Sequence, residues 1–193
     1  MSEKEGMDKE APLRADARQN RERILAAAEE VFMEQGGGAS LEVVAKRACV
    51  GIGTLYRRFP TRDELLAATY SERLLAFADA CRAATAAMAP DQALRSYVEG
   101  LIVHINIYRG LAASIGMVLK SGTPGCVAVS ETGAMLLGQA QDSGAVRDDI
   151  AFTDLVHMIT AISLAIEQEG GSTARIGRLT GIFFDGLTTR PRA

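Results

Sequence analysis

The amino-acid sequence predicts an all-α protein of about nine helices. Alanine and leucine recur throughout the 193 residues, while aromatic residues make up only 5%. Alanine and unbranched side chains lose little conformational freedom in a helix, so this composition favours helices over strands. Apolar residues also repeat with a period of 3.6 along most of the chain, and no segment alternates in the manner of a strand.

The first helix is predicted from about Ala17 to Gln35. Its apolar face consists of one stripe: Ile24, Leu25, Ala28, Val31 and Phe32. Residues 1–16 mix charges without periodicity and contain Pro12, so they are predicted to form a mobile tail. Gly36-Gly37-Gly38 ends the helix, because glycine readily adopts the left-handed conformation found at helix ends.

Two short helices and a long one follow. Ser40 is a good N-cap for the second helix, and a tight turn at residues 49–51 leads to a third helix that ends at Pro60. Thr61 and Glu64 then form a capping box, which starts a long helix predicted to run from residue 62 to about 88.

Five further helices are predicted in the second half. A loop is expected at residues 121–125, and the eighth helix should end at Gly170-Gly171. The segments with helical periodicity are residues 94–105, 111–119, 127–142, 152–168 and 176–187.

Composition excludes several classes of protein. The longest apolar region, residues 101–119, is interrupted by His104, Asn106 and Arg109, so no membrane span is predicted. The first residues lack the apolar core of a secretory signal, and the three cysteines form no CxxC pair. A cytoplasmic protein with reduced thiols is therefore expected.

The charge distribution favours a polyphosphate partner for one segment. The chain has a net charge of −3, yet residues 11–62 hold nine Lys and Arg against six Asp and Glu. A local basic face of this kind is what nucleic acid requires, whatever the total charge.

The same segment has the pattern of a helix-turn-helix, whose second helix enters the major groove of DNA. Its third helix carries Thr54, Tyr56, Arg57 and Arg58, and an arginine can bind guanine through two parallel hydrogen bonds. Amides at the helix starts capped by Ser40 and Thr61 are candidates for binding phosphates, with Arg62 beside the second start. The predicted DNA-binding residues are Ser40, Thr54, Tyr56, Arg57, Arg58, Thr61 and Arg62.

Residues 23–28, 31–32, 36, 45–48 and 53–66 (GTLYRRFPTRDELL) together resemble the DNA-binding domain of the TetR family, over about the first 70 residues. The resemblance implies phosphate contacts from Tyr56 and Arg62, and base contacts from Thr54 and Arg57. It also implies that Leu55 and Phe59 fix the recognition helix to the first helix.

Two positions depart from the family pattern. Cys49 stands where the family usually has glycine, so a residue with a Cβ is expected to adopt a positive φ there. Gly51-Ile52 stands where the family often places Ser, Lys or Arg, which leaves fewer donors ahead of the recognition helix. An oxidation switch at Cys49 is a minor alternative reading.

The resemblance implies a homodimeric repressor that a small-molecule effector releases from a palindromic operator, with no cofactor. Three segments are expected: the tail (1–16), the DNA-binding domain (17–63), and an effector-binding and dimerisation domain (64–193). The long fourth helix would transmit the effector's influence.

Candidate interface residues in the last helix are Ile176, Leu179, Phe183, Phe184 and Leu187; simple inward packing of these residues is the alternative. Gly177 and Gly181 would let the helices of two subunits approach closely.

Candidate pocket residues are Tyr97, His104, Met117, Met135, His157 and Met158. The histidines have no second ligand at metal spacing, so satisfied or partly exposed histidines are expected rather than a metal site. Plain core packing is the alternative for the methionines.

An enzyme and a helical protein-interaction module are the rival classes. The sequence contains no GxSxG, HExxH or GxxxxGK[ST] motif, and Asp148-Asp149 is explained better by helix capping than by catalysis. An interaction module would not need an arginine-rich recognition helix.

Overall fold

In the computed structural model, which describes residues 4–107, 110–169 and 172–188, the chain folds into nine helices. Side chains are described for residues 16–107, 110–168 and 172–188. In these ranges the chain forms no strand, apart from a single antiparallel bridge between Val146 and Thr188, which confirms the predicted all-α class. The helices are α1 (Lys4–Gln35), α2 (Leu41–Arg47), α3 (Ile52–Arg58), α4 (Arg62–Thr85), α5 (Pro90–Asn106), α6 (Leu111–Val118), α7 (Pro124–Asp142), α8 (Phe152–Glu169) and α9 (Thr173–Leu187).

Four helices, α1, α5, α7 and α9, begin earlier than the periodicity predicts. The first helix starts at Lys4 rather than Ala17, because Glu, Lys, Arg and Ala favour a helix even where no apolar stripe marks it. The predicted tail is thus helical from residue 4, and residues 1–3 lie outside the described residues. Helix α7 starts at Pro124 rather than Val127, since the fixed φ of proline suits the first helical position.

The predicted ends of α4 and α8 can also be compared with the structure. Helix α4 ends at Thr85, short of Met88. The end of α8 predicted at Gly170-Gly171 lies outside the described residues.

Helices α1 to α3 enclose a small core in the N-terminal part. Ile24, Phe32, Val44 and Leu55 are fully buried there. Outside this core the Arg47 guanidinium of α2 makes two 2.8 Å hydrogen bonds to the Glu34 carboxylate of α1, and this pairing lowers the pKa of Glu34. The two helices are therefore held together by both apolar packing and an ion pair.

The turns of this part adopt the conformations that the sequence predicts. Gly36 has a φ of 84° and Cys49 a φ of 54°. Cys49 is the one non-glycine residue with positive φ in the described part of the chain, as expected from its place in a turn where glycine is usual.

Helices α4 to α9 continue the same buried cluster into the C-terminal part, and α4 contributes to it from Leu65 to Thr85. The start of α7 is seated directly on α4, because the Gly125 amide donates to Ser71 Oγ at 3.1 Å. A Cβ on Gly125 would lie only 1.9 Å from the Ser71 carbonyl oxygen. Only glycine permits this approach of the two backbones.

The predicted capping role of Asp148-Asp149 is wrong for Asp149. Its carboxylate accepts hydrogen bonds from Arg147 at 2.9 and 2.6 Å. The start of α8 is instead closed by Asp154, whose carboxylate accepts from the Ala151 amide at 2.9 Å. Asp149 fails as a cap because α8 begins only at Phe152, beyond its reach of the first helical amides.

Candidate functional site

Helix α3 presents polar side chains to solvent from a firmly anchored backbone. Leu55 is fully buried and Phe59 nearly so, and the guanidinium of Arg21 in α1 lies 5.9 Å from the Phe59 ring centroid. These contacts agree with the anchoring that the family resemblance implies for Leu55 and Phe59. A helix held in this way can offer its outer face to a groove of DNA.

The outer face of α3 carries most of the residues predicted to contact DNA. Tyr56 is 48% exposed, and Arg57 and Arg58 are exposed. One Arg57 nitrogen donates to Thr54 Oγ1 at 3.3 Å, so these two side chains lie together. Ile52, also exposed, adds an apolar group at the start of the helix.

The hydroxyls of Ser40 and Thr61 serve their own helices. Ser40 Oγ accepts from the Glu42 amide at 3.2 Å and Thr61 Oγ1 from the Glu64 amide at 3.1 Å, as predicted for N-caps. Both helices also carry acidic residues in their first turns, including Asp63 in α4. Carboxylates at these positions oppose a phosphate, which weakens the case for phosphate binding at either helix start.

Arg62 has a different environment from the one predicted. Its Nη1 donates to the carbonyl oxygen of Gly37 at 3.0 Å and also to that of Ala39, and its side chain is half-buried. The guanidinium therefore joins the start of α4 to the loop between α1 and α2. This contact was invisible in the sequence because the partners are backbone oxygens of a distant loop.

Two of the predicted pocket residues lie inside the helical domain. The Tyr97 hydroxyl donates to the Val129 carbonyl at 3.0 Å, and burial raises the pKa of Tyr97 strongly. His104 and Tyr97 both pack on Phe77, at centroid distances of 5.4 and 6.0 Å. Burial, assisted by the charge of Arg73, lowers the pKa of His104.

The remaining predicted pocket residues lie nearer the surface. Met117 is 59% exposed, and Met135 is also exposed. His157 is exposed and Met158 half-buried. The alternative of core packing is therefore wrong for Met117 and Met135, because the helical period places each on the outer side of its helix, and their part in an effector pocket stays a prediction.

The last helix buries the face that was predicted to join two subunits. Ile176, Phe184 and Leu187 are buried within the subunit, and the Arg95 guanidinium of α5 lies 5.8 Å from the Phe184 ring centroid. For these three residues the alternative of inward packing is correct. The outward side of α9 carries a different residue, Ile182, which is 63% exposed.

Gly181 faces α5 rather than a partner subunit, whereas a Cβ on Gly177 would meet no atom within 4 Å. The Gly177 carbonyl accepts a hydrogen bond from Arg95 at 3.3 Å, and a Cβ on Gly181 would lie 3.2 Å from Arg95. Thr180 Oγ1, also buried, donates to the Glu99 carboxylate at 2.8 Å. Leu179 and Phe183 are only partly buried, and of the five predicted interface residues they alone retain accessible surface.

In the described part of the chain no helix is long and apolar enough to cross a membrane. The same residues contain no group of three or more His, Cys, Asp or Glu side chains placed to hold a metal ion.

Two cations near the recognition helix were not among the predicted site residues. Arg21 of α1 and Lys120, which follows α6, line one groove together with Arg57 and Arg58. The position of Arg21 on the polar face of the first helix was a usable signal. No sequence signal placed Lys120 near the recognition helix, because a loop residue approaches a distant helix only through the tertiary fold.

Two protein-family models match the chain. The model described as bacterial regulatory proteins, tetR family, matches residues 24–69. The model described as transcriptional regulator SbtR-like, C-terminal domain, matches residues 89–189. The first match contains the helix-turn-helix, and the second covers the helices from α5 onward.

Similar proteins are regulators of transcription. A TetR transcriptional regulator from Streptomyces coelicolor, known as a crystal structure, is 34% identical over 90% of this chain and 99% of its own, with a TM-score of 0.53. RolR in complex with resorcinol shares the fold at 16% identity, with a TM-score of 0.68 over 90% of this chain and 89% of its own. An HTH-type transcriptional regulator of Staphylococcus aureus is 41% identical over 54 residues, which span 28% of this chain but only 29% of that protein.

Proposed function

Since the chain belongs to the TetR family of DNA-binding transcriptional regulators, we propose that it is a homodimeric repressor that a small-molecule effector releases from a palindromic operator. We divide the chain at the start of α4, into a DNA-binding domain of residues 17–63 and an effector-binding and dimerisation domain of residues 64–193. Helix α4 contributes buried residues to both parts, so a displacement of its far end reaches the recognition helix.

The observation that carries this proposal is the architecture of α3. Leu55 and Phe59 fix its inner face, while Tyr56 and Arg57 project from the outside. A rigid helix with outward arginines is suited to reading base edges, because a bidentate arginine contact requires a fixed backbone position. A surface arginine pair alone would not support the proposal.

The experiment is a footprint on DNA from the protein's own gene neighbourhood. Protection of two half-sites about one helical turn apart, roughly 34–36 Å, is expected for a symmetric dimer. Genomic mapping of bound sites would then identify the regulated genes. Binding without sequence preference, or no binding at all, would refute the proposed repressor.

A second subunit is needed because one short recognition helix discriminates too few base pairs among the competing sites of a genome. The outer side of α9 supports this part of the proposal. Ile182, Leu179 and Phe183 leave apolar surface there, next to α8, which packs beside α9. Two such helices from each subunit would form a four-helix interface.

An effector site within the helical domain is supported by two buried polar atoms that lack partners. His104 Nε2 on α5 and Ser163 Oγ on α8 are both buried, and neither has a hydrogen-bond partner among the described residues. A buried polar atom left unpaired costs about 1–3 kcal/mol, so a ligand group that bonds to it gains affinity. We therefore propose an effector with hydrogen-bonding groups on an otherwise apolar body.

A conformational change caused by the effector would reach the DNA-binding domain through a second contact besides α4. The backbone of Gly37 packs against Gly110, so that a Cβ on Gly110 would lie 3.1 Å from the Gly37 nitrogen. On the other side, the Gly110 amide donates to the Glu167 carboxylate of α8 at 2.6 Å. Movement of α8 thus displaces the start of α6 and the loop that Arg62 holds. For release, the effector must bind the DNA-free arrangement more tightly by a few kcal/mol.

A further inference from the structure

A groove separates the recognition helix from the segment between α6 and α7. One wall consists of the end of α3, with Arg57 and Arg58, and of Arg21 from α1. The opposite wall consists of Lys120 and Thr123 in the segment that joins α6 to α7. The volume, about 610 Å³, lies within the range of about 300–1,000 Å³ that is usual for small-molecule sites. We call it the interdomain groove.

Four of the side chains that line the interdomain groove are cations. Arg21, Arg57, Arg58 and Lys120 form no salt bridge with any carboxylate of the described residues. Glu64 is the one acidic residue among the lining side chains described. Cations gathered without counter-charges raise the local positive potential, and an anion with several oxygens would bind through charge-assisted hydrogen bonds.

The start of a long helix lies at the wall formed by the α6–α7 segment. Thr123, which lines the groove, is the N-cap residue of α7, a helix of 19 residues, and its side chain makes no capping hydrogen bond. The positive end of the helix dipole therefore adds to the positive potential of the four cations.

We propose that the interdomain groove binds a small anion that carries two or more phosphate groups, and that this anion competes with DNA for Arg57 and Arg58. The competition rests on the proposed operator binding; the anion site itself does not. Arg57 and Arg58 belong both to this groove and to the outer face of α3, so DNA and the anion would exclude each other.

Direct binding is tested with inorganic pyrophosphate and the full chain, without DNA, by isothermal titration calorimetry at constant ionic strength. One pyrophosphate per subunit is expected for the wild type. Lys120→Ala should weaken binding at least about fivefold, because one of the four cations is lost, while Lys120→Arg should stay within about twofold. Lys120 is exposed, so neither variant disturbs the fold. No binding, or equal affinity in Lys120→Ala and wild type, would overturn the site.

Competition is tested by fluorescence anisotropy of a labelled operator. At a pyrophosphate concentration ten times its dissociation constant, the apparent operator dissociation constant should rise about tenfold, with sodium chloride at matched ionic strength as the blank. Lys120→Ala should bind the operator like the wild type without pyrophosphate, yet lose most of this inhibition. If Lys120→Ala instead weakens operator binding and lowers its salt dependence, Lys120 contacts DNA and the proposal fails. If the protein binds no operator, the proposed repressor fails, and calorimetry alone decides the anion site.

Discussion

Replacement of Arg62 by alanine distinguishes a structural role from a phosphate contact. Arg62 donates to the carbonyls of Gly37 and Ala39, and a hydrogen bond from a charged group contributes about 1.5–3 kcal/mol. Because both carbonyls share one nitrogen and the side chain is half-buried, we expect Arg62→Ala to lower the free energy of unfolding by about 2 kcal/mol. Urea denaturation followed by circular dichroism measures this loss.

The same variant should weaken DNA binding without changing its salt dependence, since the loop before α2 loosens while no phosphate contact is lost. Arg58→Ala is the matched control. Arg58 is an exposed arginine with no hydrogen bond or ion pair among the described residues, so its removal should change stability by less than about 0.5 kcal/mol. The structural role would be refuted if Arg62→Ala kept wild-type stability and lowered the salt slope by about 1 per subunit, as a lost phosphate contact requires.

Four further predictions follow from individual residues. Cys49→Gly should raise the free energy of unfolding by about 1 kcal/mol, because φ is 54° there; a decrease in urea denaturation would contradict it. Gly125→Ala should lower stability by at least about 3 kcal/mol through the 1.9 Å contact, whereas Gly138→Ala in the same helix, with open space around it, should raise it by about 0.5–1 kcal/mol. Arg57→Ala should reduce discrimination at one base pair per half-site by about 1–3 kcal/mol, measured by titration against single-base variants of the operator; a uniform loss on all sequences would assign Arg57 to phosphate. Ile182→Glu should sediment as a monomer at micromolar concentration with unchanged circular dichroism, and a variant that stays dimeric would remove the outer side of α9 from the interface.

The helices and turns of the DNA-binding part could be predicted because their signals are local. An apolar stripe in α1, a serine N-cap at Ser40 and a capping threonine at Thr61 act within one or two helical turns, and each acts as predicted. The positive φ of Cys49 was predicted in the same way, because cysteine stands there in a turn where glycine is usual. Where no stripe was present, before Ala17, the helix itself was missed.

The partners of each helical face could not be predicted in the same way. The apolar stripe of α9 indicates that one face is buried, but not which surface buries it. Phe184 is buried within its own subunit, under Arg95, while Ile182 lies outside the stripe and remains exposed. The strongest stripe of an amphipathic helix contacts its own domain core first, so an interface is better sought in the weaker apolar side.

Arg57 and Arg58 would serve two ligands, DNA and the anion. This distinguishes the interdomain groove from an effector site within the helical domain. An anion that occupies the two arginines excludes DNA outright, so the apparent operator dissociation constant rises in proportion to anion concentration without limit. An effector near His104 acts through a change of conformation, and its influence levels off once the site is full, at the coupling factor of typically 5–150-fold. A titration that continues well past saturation therefore separates the two modes by the shape of the curve. In Lys120→Ala the linear rise with pyrophosphate should be lost, whereas the plateau reached with an effector should be retained, because Lys120 lines the groove.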